Sequence, residues 1–302
     1  MTATGGSKGE TMRISSEIGS IAPSVGGEEH AIRGLAEAGF DAYDLSLFSM
    51  AKYDYAKQDV VLRGHPLEGK DAVRFVRQLK KVADACGIVC NQSHAPFPVA
   101  CPAIREKLSL ALALTAEAGG EVCVIHPDNL KSASENAEMF WELLPIAKSY
   151  GVKIATENMW CWDREKDQAS FAACATPADF AAHLDAVDDP DFVACLDIGH
   201  AEMRGIGTSA PEMIRALGPR LRALHVHDND LAHDSHKLPF TGQIDFEAVT
   251  AALREIGYAY DITLEADRYF PEHPNEDPKV LFARMKAAAD RIRNMVLMSE
   301  QK

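Results

Sequence analysis

The segment Ile88–Asp128, "IVCNQSHAPFPVACPAIREKLSLALALTAEAGGEVCVIHPD", carries the pattern that decides the fold. A short apolar run ends at His94, a long helical stretch stops at Gly119 and Gly120, and a second apolar run ends at His126. "AIREKLSLALALTAEAGG" is too long for a strand, and glycine is the residue that best tolerates the left-handed conformation closing a helix. The segment therefore reads as strand, helix, strand, with an imidazole at the end of each strand.

The same unit recurs on both sides. Upstream, "RISSEIG" leads to "EEHAIRGLAEAG", and "FDAYDLSL" leads through a long loop to "DAVRFVRQLKKVADACG". Downstream, "SENAEMFWELLPIAKSYG" precedes "VKIATEN", and "FVACLDIGH", "LRALHVHD" and "DITLEAD" follow. Helical patterns at "TPADFAAHLDAV", "SAPEMIRALG" and "DFEAVTAALREIG" separate these runs, and "PKVLFARMKAAADRIRNMVLMSE" closes the series. Eight strands alternating with helices predict a parallel sheet covered by helices and closed into one α/β domain, a (β/α)8 TIM barrel. A doubly wound open sheet is the alternative. No Gly-, Pro- or Ser-rich linker marks a cut, so residues 13–302 are expected to form the barrel after a flexible polar segment, 1–12.

With 302 residues, 47% hydrophobic and 25% charged, the chain can bury a large core. Its net charge of −14 gives no general attraction to nucleic acid or to an anionic membrane. Basic residues near strand ends, such as Lys57, Arg63, Arg204, Lys237 and Arg268, are sparse and have acidic neighbours. The seven cysteines show no repeated CxxC pair, which fits reduced thiols and a cytoplasmic location. "MTATGGSKGETMR" does not read as a signal segment, and no run approaches the length of a membrane span. Homo-oligomerisation through helices or the long second loop is compatible with the sequence.

The functional signal is positional. His94 ends the third strand, His126 the fourth, Glu157 the fifth, Asp197 and His200 the sixth, His225 the seventh and Glu265 the eighth. In a barrel these ends meet at one mouth, so distant residues can surround one divalent ion. Buried carboxylates in "KIATEN" and "ITLEAD" need a compensating charge, which an ion supplies. After the seventh strand, "LHVHDNDLAHDSHKLPFTGQIDF" adds Asp234 and His236 as a further pair for metal or substrate. Asp228 is expected to orient His225 or a neighbour, and His227 is read as facing either side of the strand end. Trp160 and Trp162, with Met159, offer an apolar wall for a small substrate or for packing on the protein's own helices. Phe48, Tyr53 and Tyr55 in "LSLFSMAKYDYAKQD" offer a lid or a partner contact. The helix start in "GIGTSAPE" reads first as an ordinary cap and alternatively as an anion site. No P-loop or dinucleotide fingerprint is present.

On these motifs the chain resembles the xylose-isomerase-like TIM-barrel superfamily of sugar-phosphate isomerases and epimerases, which also contains endonuclease IV. The resemblance spans nearly the whole chain. In its epimerase branch it implies a metal quartet of Glu157, Asp197, His225 and Glu265. There Glu157 and Glu265 act as the catalytic proton-transfer pair and His200 binds substrate. In its endonuclease IV branch it implies a larger zinc set, matched by His94 in "SHAPF", His126 in "IHPD", Glu157 in "TEN", Asp197 and His200 in "DIGH", His225 in "HVHD", Asp234 and His236 in "DSH", and Glu265 in "LEAD".

The expected cofactor is thus a divalent ion, Zn, Mn or Mg, one at least and up to three. The expected partner is a small keto-sugar, a polyol-derived ketone or its phosphate. His94, His200, Trp160, Trp162 and Arg268 are the candidate substrate-binding residues. The expected reaction is isomerisation or epimerisation by carboxylate-assisted proton transfer. The competing readings are an inosose-type dehydratase, an endonuclease IV-like phosphodiesterase and a noncatalytic barrel stabilised by metal.

Overall fold

A computed structural model describes residues 12–298. The eight expected strands form: β1 (Ile14–Ser16), β2 (Ala42–Ser46), β3 (Val89–His94), β4 (Val122–Val124), β5 (Lys153–Glu157), β6 (Phe192–Asp197), β7 (Leu221–His225) and β8 (Ile262–Leu264). The main outer helices are α1 (Glu28–Ala38), α2 (Ala72–Cys86), α3 (Leu108–Ala118), α4 (Ala133–Tyr150), α5 (Pro177–Val187), α6 (Ala210–Leu217), α7 (Phe246–Glu255) and α8 (Pro278–Leu297).

Strands β2 to β7 pair in sequence order as a six-stranded parallel sheet, and β1 pairs with β8. Parallel bridges Glu17–Asp44 and Val226–Leu264 join the two parts into a ring. Each connection in this order passes through an outer helix, the packing a parallel sheet requires. The predicted barrel is therefore present and the open-sheet alternative is not.

The first four helices end as their sequences require, with left-handed caps at Gly39, Gly87, Gly119 and Gly151 (φ 90°, 75°, 85° and 69°). At the start of α4, Ser132 and Glu135 form a capping box that satisfies two otherwise orphaned N–H groups. The expected helix "AIREKLSLALALTAEAGG" is divided into a short turn, Pro102–Arg105, and α3.

The main apolar core lies between strands and helices; Leu35, Val76, Leu112, Phe140, Phe180, Ile214 and Phe282 belong to it. Burying one such side chain stabilises the fold by about 1.5–3 kcal/mol. Inside the ring, Val124, Ala155, Val193, Cys195 and Ala223 form a smaller apolar plug. The interior near β1, β3 and β8 is polar: Ser15 and Asn91 both donate to Thr263 Oγ1, at 2.8 and 3.0 Å.

Of the segment expected to be flexible, residues 1–11 lie outside the described residues. Met12 is buried in the core. The long loop after β2 and the loop after Glu157 also differ from expectation. They contain antiparallel hairpins, Lys52–Asp54 with Asp59–Val61 and Cys161–Asp163 with Gln168–Ser170. Both use the same turn. Asp54 Oδ1 accepts from Ala56 N and Lys57 N, and Asp163 Oδ1 accepts from Glu165 N and Lys166 N, at 3.0–3.2 Å. A left-handed residue then closes each turn, Gln58 (φ 53°) and Asp167 (φ 49°). Among the described residues no helix is long and apolar enough to cross a membrane. All seven cysteines are free thiols.

Candidate active site

Strand register brings the expected residues together. Asp197 and His225 are direct partners on β6 and β7, and Glu157 lies beside Cys195 across β5 and β6. Glu157 Oε2 is 3.3 Å from His94 Nε2, 3.3 Å from His126 Nε2 and 3.2 Å from His225 Nδ1. Glu265 Oε2 reaches the same His225 nitrogen at 3.4 Å. Glu157, Asp197, His225 and Glu265 thus form one compact group, and His94, His126 and Glu157 an adjoining one.

A second concentration lies on the segments leaving β6 and β7. His200 is in the short helix Ile198–Glu202, which Asp197 caps by accepting the His200 backbone N–H at 2.7 Å. Asp234 Oδ2 is 3.3 Å from His200 Nε2 and 3.1 Å from His236 Nε2. His236 adopts φ 40°, a strained conformation for a non-glycine residue, and its Nδ1 donates to Glu265 O at 2.8 Å. His227, left undirected by the sequence, points inward to this group.

The donor atoms fit divalent cations. Glu157 Oε2, Asp197 Oδ2, Asp234 Oδ1 and both ring nitrogens of His225 are buried without hydrogen-bond partners. Each buried ionised group costs several kcal/mol unless it is paired. Carboxylate oxygens mixed with imidazole nitrogens suit Zn or Mn, and the oxygen-rich quartet also suits Mg.

The side chains polarise one another. Burial alone would raise Glu157, but the His225 and His126 rings hold it well below the ordinary carboxylate range. Burial, only partly offset by His225, pushes Glu265 well above that range. Burial takes His126 down to about 4. For His200 burial again opposes the charge, yet Asp197 and Asp234 raise it to about 10.

The site opens into a cavity of about 570 Å³. His94, His126, Glu157, His200, Asp234, His236 and Glu265 reach its wall, and Trp160, Trp162, Phe48, Phe97 and Met159 supply its apolar side. Tyr55 is on the rim, whereas Tyr53 packs edge-on against Tyr55 rather than lining the cavity. Trp162 is fixed by stacking on His233, with ring centres 5.6 Å apart.

Two expectations are corrected. Arg268 is exposed at the start of the helix Tyr269–Glu272 and is not part of the cavity wall. Asp228 does not orient His225; its carboxylate accepts from Gly242 N, Ile244 N and Asn229 N at 2.8–3.1 Å, tying the following loop to the strand end. Gly242 is needed there, because a Cβ would lie 2.3 Å from Asn229 O. The helix start in "GIGTSAPE" is, as first read, an ordinary cap: the Ser209 side chain accepts from Glu212 N, and Glu202 Oε1 accepts the Ala210 N–H at 2.8 Å.

The sequence also passed over Asp44. Its Oδ2 accepts from Gln92 Nε2 at 2.9 Å and lies 3.6 Å from His225 Nε2, the nitrogen opposite the one facing the glutamates. At 3.6 Å this is a charge contact rather than a hydrogen bond, and it lies behind the ring that the glutamates face. The available signal was an acidic residue inside a fully buried strand.

Comparison with known proteins agrees with this architecture. The chain is 27% identical to the uncharacterized protein MJ1311 of Methanocaldococcus jannaschii over 241 residues, 73% of this chain and 78% of that one. A D-allulose 3-epimerase from Methylomonas sp. superposes with a TM-score of 0.68 at 18% identity, covering 94% of this chain and 98% of that one. An L-ribulose 3-epimerase superposes with a TM-score of 0.66 at 19% identity, covering 96% and 99%. At these identities the superpositions speak to fold. The family model described as xylose isomerase-like TIM barrel matches residues 32–288. The chain belongs to the xylose isomerase-like TIM barrel family.

Proposed function

We propose that the protein is a divalent-metal-dependent isomerase or epimerase of a small keto-sugar, a polyol-derived ketone or its phosphate. One observation carries this reading: Glu157 and Glu265 both line the cavity and both approach His225 Nδ1, at 3.2 and 3.4 Å. Two carboxylates so placed can take a proton from a carbon next to a carbonyl and return one. The ligand quartet would hold the ion, which supplies Lewis-acid polarisation of a carbonyl or hydroxyl oxygen. Trp160 and Trp162 pack the C–H face of the sugar and exclude water, while His94 orients its hydroxyls. The names of the epimerase structures on which the fold superposes support the same substrate class. Free thiols accord with a reducing, cytoplasmic setting.

The test is hydrogen exchange into a panel of ketoses, keto-inositols and their phosphates in D2O, with metal content measured alongside. Exchange at the carbon beside the carbonyl is expected in the native protein and lost in Glu157→Gln and Glu265→Gln beyond any loss of metal. Unchanged turnover in either variant would sink the two-glutamate mechanism. If exchange is followed by water loss, the activity is a dehydratase.

A second reading, a metal-dependent phosphodiesterase, is favoured by the His200–Asp234–His236 group, which adds ligands beyond those one ion needs. Against it, among the described residues lining the cavity, Lys52 is the one lysine or arginine. Rapid metal-dependent incision of an abasic-site duplex would promote this reading over the first.

A further inference from the structure

The cavity over the two glutamates changes character with depth. Its floor is polar and buried, where Glu157, Glu265, His94, His126 and His200 reach it. Half-buried aromatic rings stand against that floor. Phe97 stacks on His126 with ring centres 4.7 Å apart, Phe48 meets His94 edge-on at 4.7 Å, and Trp160 stands edge-on to His200 at 6.3 Å. Beyond this collar the wall ends in two large side chains open to solvent. Tyr55, in the hairpin after β2, and Leu130, in the loop after β4, are 68% and 86% exposed, and both line the same cavity.

The outer half has little to offer a hydroxyl. Asn129 Nδ2 already donates to Trp160 O at 3.3 Å, and Asp128 Oδ1 already accepts the Leu130 N–H at 3.2 Å. A hydroxyl brought from water against this collar loses hydrogen bonds that the wall does not replace. An apolar group gains there instead, because it covers Tyr55 and Leu130 as it leaves water. The volume agrees: about 570 Å³ lies within the range of about 300–1,000 Å³ that encloses drug-sized ligands, so a lone six-carbon sugar on the floor would leave the outer part to water.

We infer that the substrate is a ketose or keto-polyol carrying an apolar group, aromatic or branched aliphatic, at the end remote from its carbonyl, and that Tyr55 and Leu130 receive this group. The inference rests on the reading of the floor as a proton-transfer site and adds the chemistry of the substrate's far end. Tyr55 and Leu130 belong to different loops, so one group touching both also shuts water out of the mouth.

The experiment measures binding to the full-length, metal-loaded protein through its tryptophan fluorescence, with Trp160 and Trp162 as reporters in the wall. The probes are the methyl and benzyl ethers of the D-ketohexoses at their terminal oxygen, with fructose glucosylated at that oxygen as the two-sugar control. For at least one ketohexose the benzyl ether should bind at least about tenfold more tightly than the methyl ether. Leu130→Ser and Tyr55→Ser, at exposed positions where folding is not at stake, should each narrow that ratio by about threefold or more. Equal binding of the two ethers in every ketohexose overturns the inference. So does a ratio that neither substitution moves, and so does a glucosylated sugar that binds as tightly as the benzyl ether. Deuterium exchange on the same samples separates this inference from the one beneath it. Exchange accompanied by equal binding refutes the apolar subsite and leaves the proposed function standing, whereas benzyl-selective binding without exchange keeps the subsite and counts against the proton transfer.

Discussion

The two ligand groups at the barrel mouth are built differently. The oxygen-rich group of Glu157, Asp197, His225 and Glu265 comes from the ends of β5 to β8 and is aligned by the ladder that pairs Asp197 with His225. The nitrogen-rich group of His200, His227, Asp234 and His236 comes from β7's end and from connecting segments, and its rings are aimed by hydrogen bonds from Nδ1 to backbone carbonyls. Strand register fixes the first group rigidly. Local backbone geometry, including the left-handed His236, fixes the second.

Removing Glu157 tests this division most severely, because its Oε2 faces His94, His126 and His225 at once. Glu157→Ala should lower turnover by about 10⁴-fold or more and strip the ion of the oxygen-rich group, while an ion at the nitrogen-rich group remains. Elemental analysis beside single-turnover kinetics checks both halves. Glu265→Gln should cost about 10²–10³-fold in proton exchange with smaller loss of metal, since this side chain contacts fewer of the ligands.

A pH series sharpens the comparison through stability. His200 is held at about 10 against an ordinary 6.5, and His225 and His236 are raised as well. Between pH 6.5 and about 10 the metal-free folded protein therefore binds more protons than the unfolded chain. The stability these rings contribute is complete below pH 6.5 and lost as pH rises through about 10. A bound ion replaces those protons, so melting temperature should fall across this window in chelated protein and change much less in metal-loaded protein. Equal slopes in both would contradict the assignment of these rings as ligands.

Smaller effects are expected away from the ligands. Trp160→Ala should raise KM by about fivefold with little change in kcat, the loss of about 1 kcal/mol of aromatic contact. Arg268→Ala, at an exposed position, should change kcat/KM by less than about twofold.

The contrast between the groups also explains what could be read from the chain. The barrel was legible because its strands and helices alternate in period and because glycines close the first four main helices. Seven strand-end residues, from His94 to Glu265, were legible because strand ends converge wherever such a sheet closes. Asp234 and His236 were legible through the crowding of acids and imidazoles after β7 and through motif resemblance, since no periodicity fixes a loop. His227 could not be directed, because its orientation depends on the twist after β7 and on the space left by Gly199. The two hairpins were read as loops because their strands have three residues each and their turns rely on Asp54 and Asp163 rather than on glycine. Arg268 was misplaced because the chain turns into a helix directly after Asp267, leaving its side chain in solvent.

Proton transfer between two glutamates on a small ketone is the step on which the proposed function rests. The most direct measurement is NMR detection of deuterium uptake beside the carbonyl when metal-loaded protein meets ketoses and keto-inositols in D2O. Uptake is expected on at least one of these substrates, abolished in Glu157→Gln and in Glu265→Gln. No uptake on any of them, together with metal-dependent cleavage of an abasic-site duplex, would contradict it.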